Sequence, residues 1–436
     1  MNILLYSILL ILPLPLFAFL VKRKHYLYCL PPFVALIGIY LFDIIGAIEV
    51  IRDEQLFSDM YYYSLLLIIV LFYLFYAIVF SFRKKLYIDW SITHSTHADG
   101  IAPLLMLTVL WSYSFLMLNL YYQRHGLPAV FDISLFNYND IYAIRAEKTT
   151  SLPEGGHWYW FAFSTIPAFI FVYTYILKRL RPSKKTKAVF YFNLPLVLFF
   201  SSLTLHKTPF AYLVLYILLI NFFFKGKSLG FKKLFGYFAI GTGSIIIMLR
   251  LYLLDRGLMD VLKVVPYYFY RRICIAYTKA HAYIIQIFPD QHDFFYGTAF
   301  ANPGHVLPFE PVNLSQFLGY WVSGSLQNYS APSFSQGYAN FGFPGFILIL
   351  LFMFFQIILL QIVFKKCPKN PLFLTLYVLI IPNMLGYANT SIQAIISEIF
   401  VLFSIACIFA YYFSRDVAIS LGQSKKTVKL RRPLPE

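Results

Sequence analysis

SFSQGYANFGFPGFILILLFMFFQIILLQIVFKKCPK, residues 333–369, decides the architecture of this chain. From Phe343 to Phe364 it carries no charged side chain, and a helix of about 20 apolar residues is what the hydrocarbon core of a bilayer requires. The run is entered through a polar, glycine-containing segment, Ser335–Gly342, and left through Lys365, Lys366 and Lys369. Lys and Arg beside an apolar run mark its cytoplasmic end. The stretch therefore reads as a transmembrane helix with Tyr338–Gly342 outside and the lysines inside.

The same reading extends along the rest of the 436 residues, which are 60% hydrophobic and 13% charged; a soluble domain carries roughly a quarter charged residues. Apolar runs fall near 3–20, 27–48, 61–82, 101–121, 158–177, 188–205, 209–224, 234–253, 343–364, 372–388 and 396–413. The expectation is an all-α polytopic integral membrane protein with about 11 transmembrane helices, its N-terminus outside and its C-terminus inside. Most of the 36 Lys and Arg lie in short clusters at 22–24, 83–85, 178–187, 225–233, 365–369 and 415–432. Each cluster closes an odd-numbered run, so the net charge of +17 reports topology and not a nucleic-acid partner. The first run has no basic residue before it and contains Pro13 and Pro15, as expected of a retained helix rather than a cleaved leader.

Residues 1–436 thus form a single integral membrane domain. It carries a first large outward loop at 122–157, a second at 255–342, and a basic cytoplasmic tail at 414–436. The cytoplasmic segments are short and hold no phosphate-binding G-x-x-x-x-G-K-[ST] run. Any chemistry belongs on the outer face or within the bilayer, on a substrate that arrives already activated. The cysteines at 29, 274, 367 and 407 have no paired spacing. No H-E-x-x-H, Cys/His metal spacing or G-x-S-x-G elbow occurs, so neither a metal nor another cofactor is expected.

Several cations oppose the topology signal, and a polyanion at the outer surface would balance them. Arg suits phosphate because its planar fork gives two parallel charge-assisted hydrogen bonds. The candidates for anion or sugar binding are Arg145, Lys207, Arg250, Arg271, Arg272 and Lys279. Arg272, Lys279 and Gln286 recur every seven residues within a segment of helical character that ends at Pro289, so they share one face; the other positions are mostly apolar. This suits a helix lying against the outer leaflet or against other helices with its polar stripe facing a cleft. His206-Lys207-Thr208-Pro209 tips a very tight hairpin. Asp43 and Glu398 fall inside apolar spans, where either could pair with one of these cations instead of acting in catalysis. In the first outer loop, carboxylates, Asn and Tyr interleave through Asp140, Arg145 and Glu147, a mixture suited to sugar hydroxyls and ring faces.

With these features assembled, the chain resembles the Wzy-type O-antigen and oligosaccharide repeat-unit polymerases of bacterial envelopes. Tyr338-Ala-Asn340-Phe341-Gly342-Phe-Pro-Gly345 resembles that family's Tyr-x-Asn-Phe-Gly-x-x-Gly pattern, and the stretch from Asn139 to Glu147 resembles its first-loop arginine motif. At the hairpin tip the family's Ser-Arg or Ser-Lys is His206-Lys207, so only the basic residue carries over. The resemblance implies a GT-C-like fold in the bacterial inner membrane with a periplasmic active face. It implies transfer of a growing polysaccharide from undecaprenyl pyrophosphate to a newly flipped lipid-linked repeat unit, with a chain-length regulator and a flippase as partners. The outward cations, with Tyr338 and Asn340, would bind pyrophosphate and sugar. The base that deprotonates the acceptor hydroxyl would be His305, Glu310, Asp140 or Glu147, with no choice among them. A lipid-linked oligosaccharide flippase and an O-antigen ligase are the competing readings.

Overall fold

A computed structural model describes residues 2–22, 30–53, 55–82, 86–88, 101–128, 131, 156–203, 208–225, 259, 263, 267, 270–300, 308–324, 329, 331–367 and 370–385. Its regular elements are all helical among the described residues. In chain order they are α1 (Asn2–Ile11), α2 (Leu14–Lys22), α3 (Leu30–Ile39), α4 (Ala47–Arg52), α5 (Asp59–Ser81), α6 (Ile101–His125) and α7 (Gly156–Trp160). There follow α8 (Ile166–Leu180), α9 (Lys184–Ser202), α10 (Thr208–Lys225), α11 (Ala276–Ile287), α12 (Leu314–Ser323), α13 (Ser333–Lys366) and α14 (Pro371–Leu385). Single π-helical turns, Tyr40–Ile44, Phe161–Thr165 and Arg271–Ile275, lead from α3 towards α4, join α7 to α8 and precede α11.

Among the described residues, five helices are long and apolar enough to cross a membrane: Pro31–Arg52, Asp59–Ser81, Pro103–His125, Trp158–Leu180 and Ser333–Lys366. Leu4–Leu20, Pro209–Asn221 and Pro371–Met384 are shorter apolar helices. The chain is therefore a helical, membrane-embedded protein. Together with α9, these helices fall on every expected span within the described residues; the runs at 234–253 and 396–413 lie outside them.

The chain divides into two compact units. The first comprises Met1–Asp89, Pro266–Cys367 and Asn383–Ser397. Its first span is broken between α1 and α2, where Pro13 and Pro15 remove two backbone donors. Carbonyls within the break accept from tyrosines of neighbouring elements: the Tyr40 hydroxyl donates to the Leu10 carbonyl at 3.1 Å and Tyr73 to Leu12 at 2.6 Å. Ser58 caps α5, its Oγ accepting from the Tyr61 N–H.

The second unit comprises Trp90–Val265, Pro368–Pro382 and Glu398–Glu436. A capping box of Ser183 and Thr186 starts α9 immediately after the basic stretch that ends α8. In the interior, the Trp111 indole donates to Asn193 Oδ1 at 2.6 Å. Ser114 Oγ donates to the carbonyl of Ala162, inside the π turn that precedes α8. Helix α9 ends at Ser202 and α10 begins at Thr208, which leaves little room for the expected hairpin; His206 and Lys207 themselves lie outside the described residues.

Candidate functional site

Helix α13 is two helices joined at a sharp break. Phe341 (φ −143°, ψ 18°) and Gly342 (φ 64°, ψ −150°) have non-helical backbones. The Gly342 conformation is open in practice only to glycine. An arm of residues 333–340 precedes the break and the span of 343–366 follows it. The arm folds back on the N-terminal end of the span: a Cβ on Gly337 would overlap the Gly345 carbonyl, and one on Gly345 would overlap the Gly337 carbonyl. Phe334 packs edge-on against Phe346 at 5.4 Å. Small residues permit this backbone approach, as they do between membrane helices generally. The arm is buried along its length, apart from a half-buried Gln336.

The break frees carbonyls at the end of the arm, and the loop of residues 289–300 uses them. The N–H groups of Phe295 and Tyr296 donate to the carbonyls of Ala339 and Asn340, both at 3.0 Å. Asn340 Oδ1 accepts from the N–H of Gly297 at 2.8 Å and of Ala299 at 3.1 Å, while its Nδ2 donates to the Gln336 carbonyl at 2.8 Å. One fully buried amide thus satisfies two loop donors and one helix acceptor. The docked loop holds Tyr296 at φ 48° with 72% of its surface exposed, next to Phe341 at 43%. Phe300 contacts Phe341 at 6.3 Å.

Behind the arm lies a buried polar network. His281 is fully buried on α11, between Ser64 of α5 and Ser335 of the arm, each 2.7 Å from one ring nitrogen. Ser64 Oγ donates its single hydrogen to the Tyr61 carbonyl at 2.6 Å, so it accepts from His281 Nε2–H. Nδ1 then accepts from the Ser335 hydroxyl. Every polar atom of the imidazole is satisfied in this neutral tautomer, and burial pushes the His281 pKa down to about 3. Three aromatic rings, Tyr61, Phe334 and Phe346, enclose the imidazole. Close by, the Thr278 hydroxyl donates to the backbone carbonyl of Asp43 at 3.0 Å and so accepts from the Tyr61 hydroxyl.

The candidate residues distribute as follows. Tyr338 and Asn340 are buried at the helix break, where Asn340 binds protein backbone, as does the Tyr338 hydroxyl, 3.4 Å from the Phe288 carbonyl. Arg271 is exposed at the start of the π turn Arg271–Ile275, and Lys279 is half-buried on α11; neither pairs with a carboxylate among the described residues. Arg272 lies in the same π turn. Glu310 is exposed ahead of α12. Asp140, Arg145, Glu147, Lys207, Arg250 and His305 lie outside the described residues, as do Glu398 and the 414–436 tail. Helix α11 packs against α4, α5, α12 and α13, one of the two settings expected of it, with Lys279 and Gln286 on its less buried side. Its Thr278, Ala280, His281, Ala282, Ile284 and Ile285 are all buried, and Gln286 of the expected stripe donates to the Gln55 carbonyl at 2.9 Å. Asp43 pairs with no cation among the described residues: it is fully buried and neither carboxyl oxygen has a hydrogen-bond partner.

The sequence reading passed over His281, Ser64 and Ser335. The available signal was a lone His between two alanines in an apolar segment and a Ser at the head of an apolar span; either pattern alone is ordinary core. The chain matches no protein-family model, no curated protein and no solved structure.

Proposed function

We propose that the chain is a membrane glycosyltransferase, an oligosaccharide repeat-unit polymerase working on the periplasmic face of the bacterial inner membrane. The observation that carries this reading is the construction at Tyr338–Gly345. The stretch resembling the polymerase motif is the one that breaks α13, and its Asn340 clamps the outer loop in place. Beside the clamp, Tyr296 and Phe341 each leave a ring exposed, and exposed aromatic rings are suited to stacking on sugar rings. Exposed Arg271 belongs to the same unit and suits a pyrophosphate.

In the proposed reaction the acceptor sugar hydroxyl attacks the anomeric carbon of the polymer held on undecaprenyl pyrophosphate. A C–O bond to the acceptor forms as the bond from the anomeric carbon to the pyrophosphate oxygen breaks, and undecaprenyl pyrophosphate leaves with the electron pair. The acceptor proton goes to a base, for which Glu310, His305, Asp140 and Glu147 are the candidates. Arg271, Arg272 and Lys279, with Arg145, Lys207 and Arg250, would stabilise the charge developing on the leaving group.

Deletion of the gene, read as a gel of surface polysaccharide, tests the reading. A single repeat unit with no ladder above it supports the polymerase, and an unchanged ladder overturns it. Loss of all repeat units favours a flippase or a ligase. The flippase has one observation on its side, the uncompensated Asp43 within a span. Among variants, Arg271→Ala is expected to abolish long chains at normal protein level.

A further inference from the structure

Asp43 belongs to none of the steps above. It sits in the π turn Tyr40–Ile44 of the span Pro31–Arg52, and this turn packs against the second π turn, Arg271–Ile275, and against α11. The seam is close: a Cβ on Gly46 would overlap the Cys274 carbonyl, so backbone meets backbone there. π turns inside α-helices are rare and concentrate at functional sites; here two of them face each other.

The groups facing Asp43 decide which form of the carboxyl this seam accepts. Tyr61 approaches from α5, Thr278 from α11 and Cys274 from the facing π turn. The Thr278 hydroxyl has given its hydrogen to the Asp43 backbone carbonyl, and Tyr61 has given its own to Thr278. Neither has a hydrogen left for a carboxylate. The Tyr61 oxygen keeps a lone pair that could accept one from a carboxylic acid. The charged groups on these elements are Glu49 and Arg52 on α4, Asp59 on α5, Arg271 and Arg272 on the π turn and Lys279 on α11. Arg52, Asp59 and Arg271 are exposed, Lys279 is half-buried, and no cation bonds to either Asp43 oxygen among the described residues. A bare carboxylate in such a place costs far more than a neutral acid.

We propose that Asp43 is a proton-binding site within the membrane: the neutral acid closes the seam between the 31–52 span and the helix of residues 271–287, and loss of the proton opens it. Opening admits the water that a carboxylate needs and releases the helix that carries Arg271, Arg272 and Lys279. The inference holds for a polymerase and a transporter alike, because it rests on the seam alone.

The test uses the full chain in native membrane vesicles and the hydrophobic reagent dicyclohexylcarbodiimide, which adds to neutral carboxylic acids and spares carboxylates. At pH 7.5 an ordinary aspartate is neutral in only about one molecule in 4,000. Peptide mass mapping is expected to find the label on Asp43 at that pH, falling about tenfold or more by the most alkaline pH at which the protein stays folded. It should be absent in Asp43→Asn and unaffected by sodium ions. No label on Asp43 above the Asp43→Asn background, in intact protein and after brief unfolding in reagent at the same pH, together with no opening of the seam, overturns the proposal. Protection by sodium at constant pH replaces the proton with a metal cation. Seam opening is read separately by maleimide reaction at Cys274, in a chain whose Cys29, Cys367 and Cys407 are serine. The ratio of that rate in Asp43 protein to the rate in Asp43→Asn cancels the thiol's own titration. A ratio that rises severalfold with pH supports the opening, and a ratio of one throughout overturns it.

Discussion

The two units both pack aromatic rings in their interiors and differ in what else holds them. In the first, Phe354 packs on Phe72 and Phe75, and Phe317 on Phe288 and Phe295. In the second, Phe169 stacks on Tyr173 and Phe171 on Tyr175, and Phe200 receives Trp111, Phe115 and Phe163. Near the basic end of α8, Lys178 lies 4.3 Å from the centre of the Phe190 ring. In the first unit, backbone breaks at Pro13, at the π turn Tyr40–Ile44 and at Phe341–Gly342 are each answered by named hydrogen bonds, and hydroxyls and an imidazole tie α5, α11 and the arm together. Aromatic packing tolerates small shifts of one ring against another. A saturated hydrogen-bond network does not, because each lost partner strands a buried polar atom. The first unit should therefore be the more sensitive to changes of one or two atoms.

The largest effect is expected at the glycine pair. Gly345→Val places a branched side chain into the Gly337 carbonyl, a contact between two backbones that cannot be relieved by a rotamer change. The arm must detach, at a cost above about 4 kcal/mol, in the exceptional range for one substitution. Thermal unfolding in detergent, followed by size-exclusion fluorescence, should show little folded protein. A near-native midpoint would mean that the arm is not seated on the span as described.

Next comes Asn340→Ala, which strands the N–H groups of Gly297 and Ala299. At about 1–3 kcal/mol for each stranded donor, reduced by any water that enters, a loss of about 2–4 kcal/mol is expected. It should appear as new protease cleavage within residues 289–300. Asn340→Asp keeps the acceptor oxygen, and as the neutral acid it can still donate to the Gln336 carbonyl, so its loop should stay resistant in mildly acidic buffer. Cleavage in both variants alike would assign the clamp to the amide nitrogen instead.

Most of the helical architecture was legible in the sequence, because the span signal needs only composition and the placement of Lys and Arg. The break at Phe341–Gly342 was partly legible. Tyr338–Gly345 stood out as a motif, but Asn340 was read as a sugar ligand, whereas in the structure it binds the protein's own backbone. Amides do both, and only the fold says which donors come within reach. The helical character of the segment that ends at Pro289 was legible, with packing against other helices as one of two settings; the choice between them was not, because a seven-residue repeat gives a face but not what lies against it. His281 and Ser335 are 54 positions apart, and no local pattern joins them. The two π turns were invisible, since nothing in Tyr40–Ile44 or Arg271–Ile275 forces the extra residue; it follows from packing.

Acid should separate the units by about the next step in size. In the folded protein His281 stays neutral down to about pH 3, whereas an unfolded histidine takes a proton near pH 6.5. The stability that the neutral imidazole confers is therefore complete above about pH 6.5 and is lost as pH falls from there towards 3. Between pH 7 and 5 the loss is on the order of 2 kcal/mol. The fall in melting midpoint over that range should shrink in His281→Gln, which does not titrate. An unchanged pH slope in that variant would show that other groups govern acid sensitivity.

The finest comparison makes one chemical change in both units. Ser335→Ala and Ser114→Ala each delete one hydroxyl that donates inside a helical interior. Loss of Ser335 leaves Nδ1 of a fully buried imidazole without a donor, and that ring bonds on its other side to Ser64, so the deficit reaches three helices. The cost expected is about 1–3 kcal/mol. Loss of Ser114 removes a bond to a backbone carbonyl with two lone pairs, and interhelical hydrogen bonds of that kind average about 0.6 kcal/mol in membranes. Midpoints measured in the same detergent should therefore fall further for Ser335→Ala. Equal shifts would mean that the imidazole finds another donor or water, and that the first unit is no more tightly specified than the second.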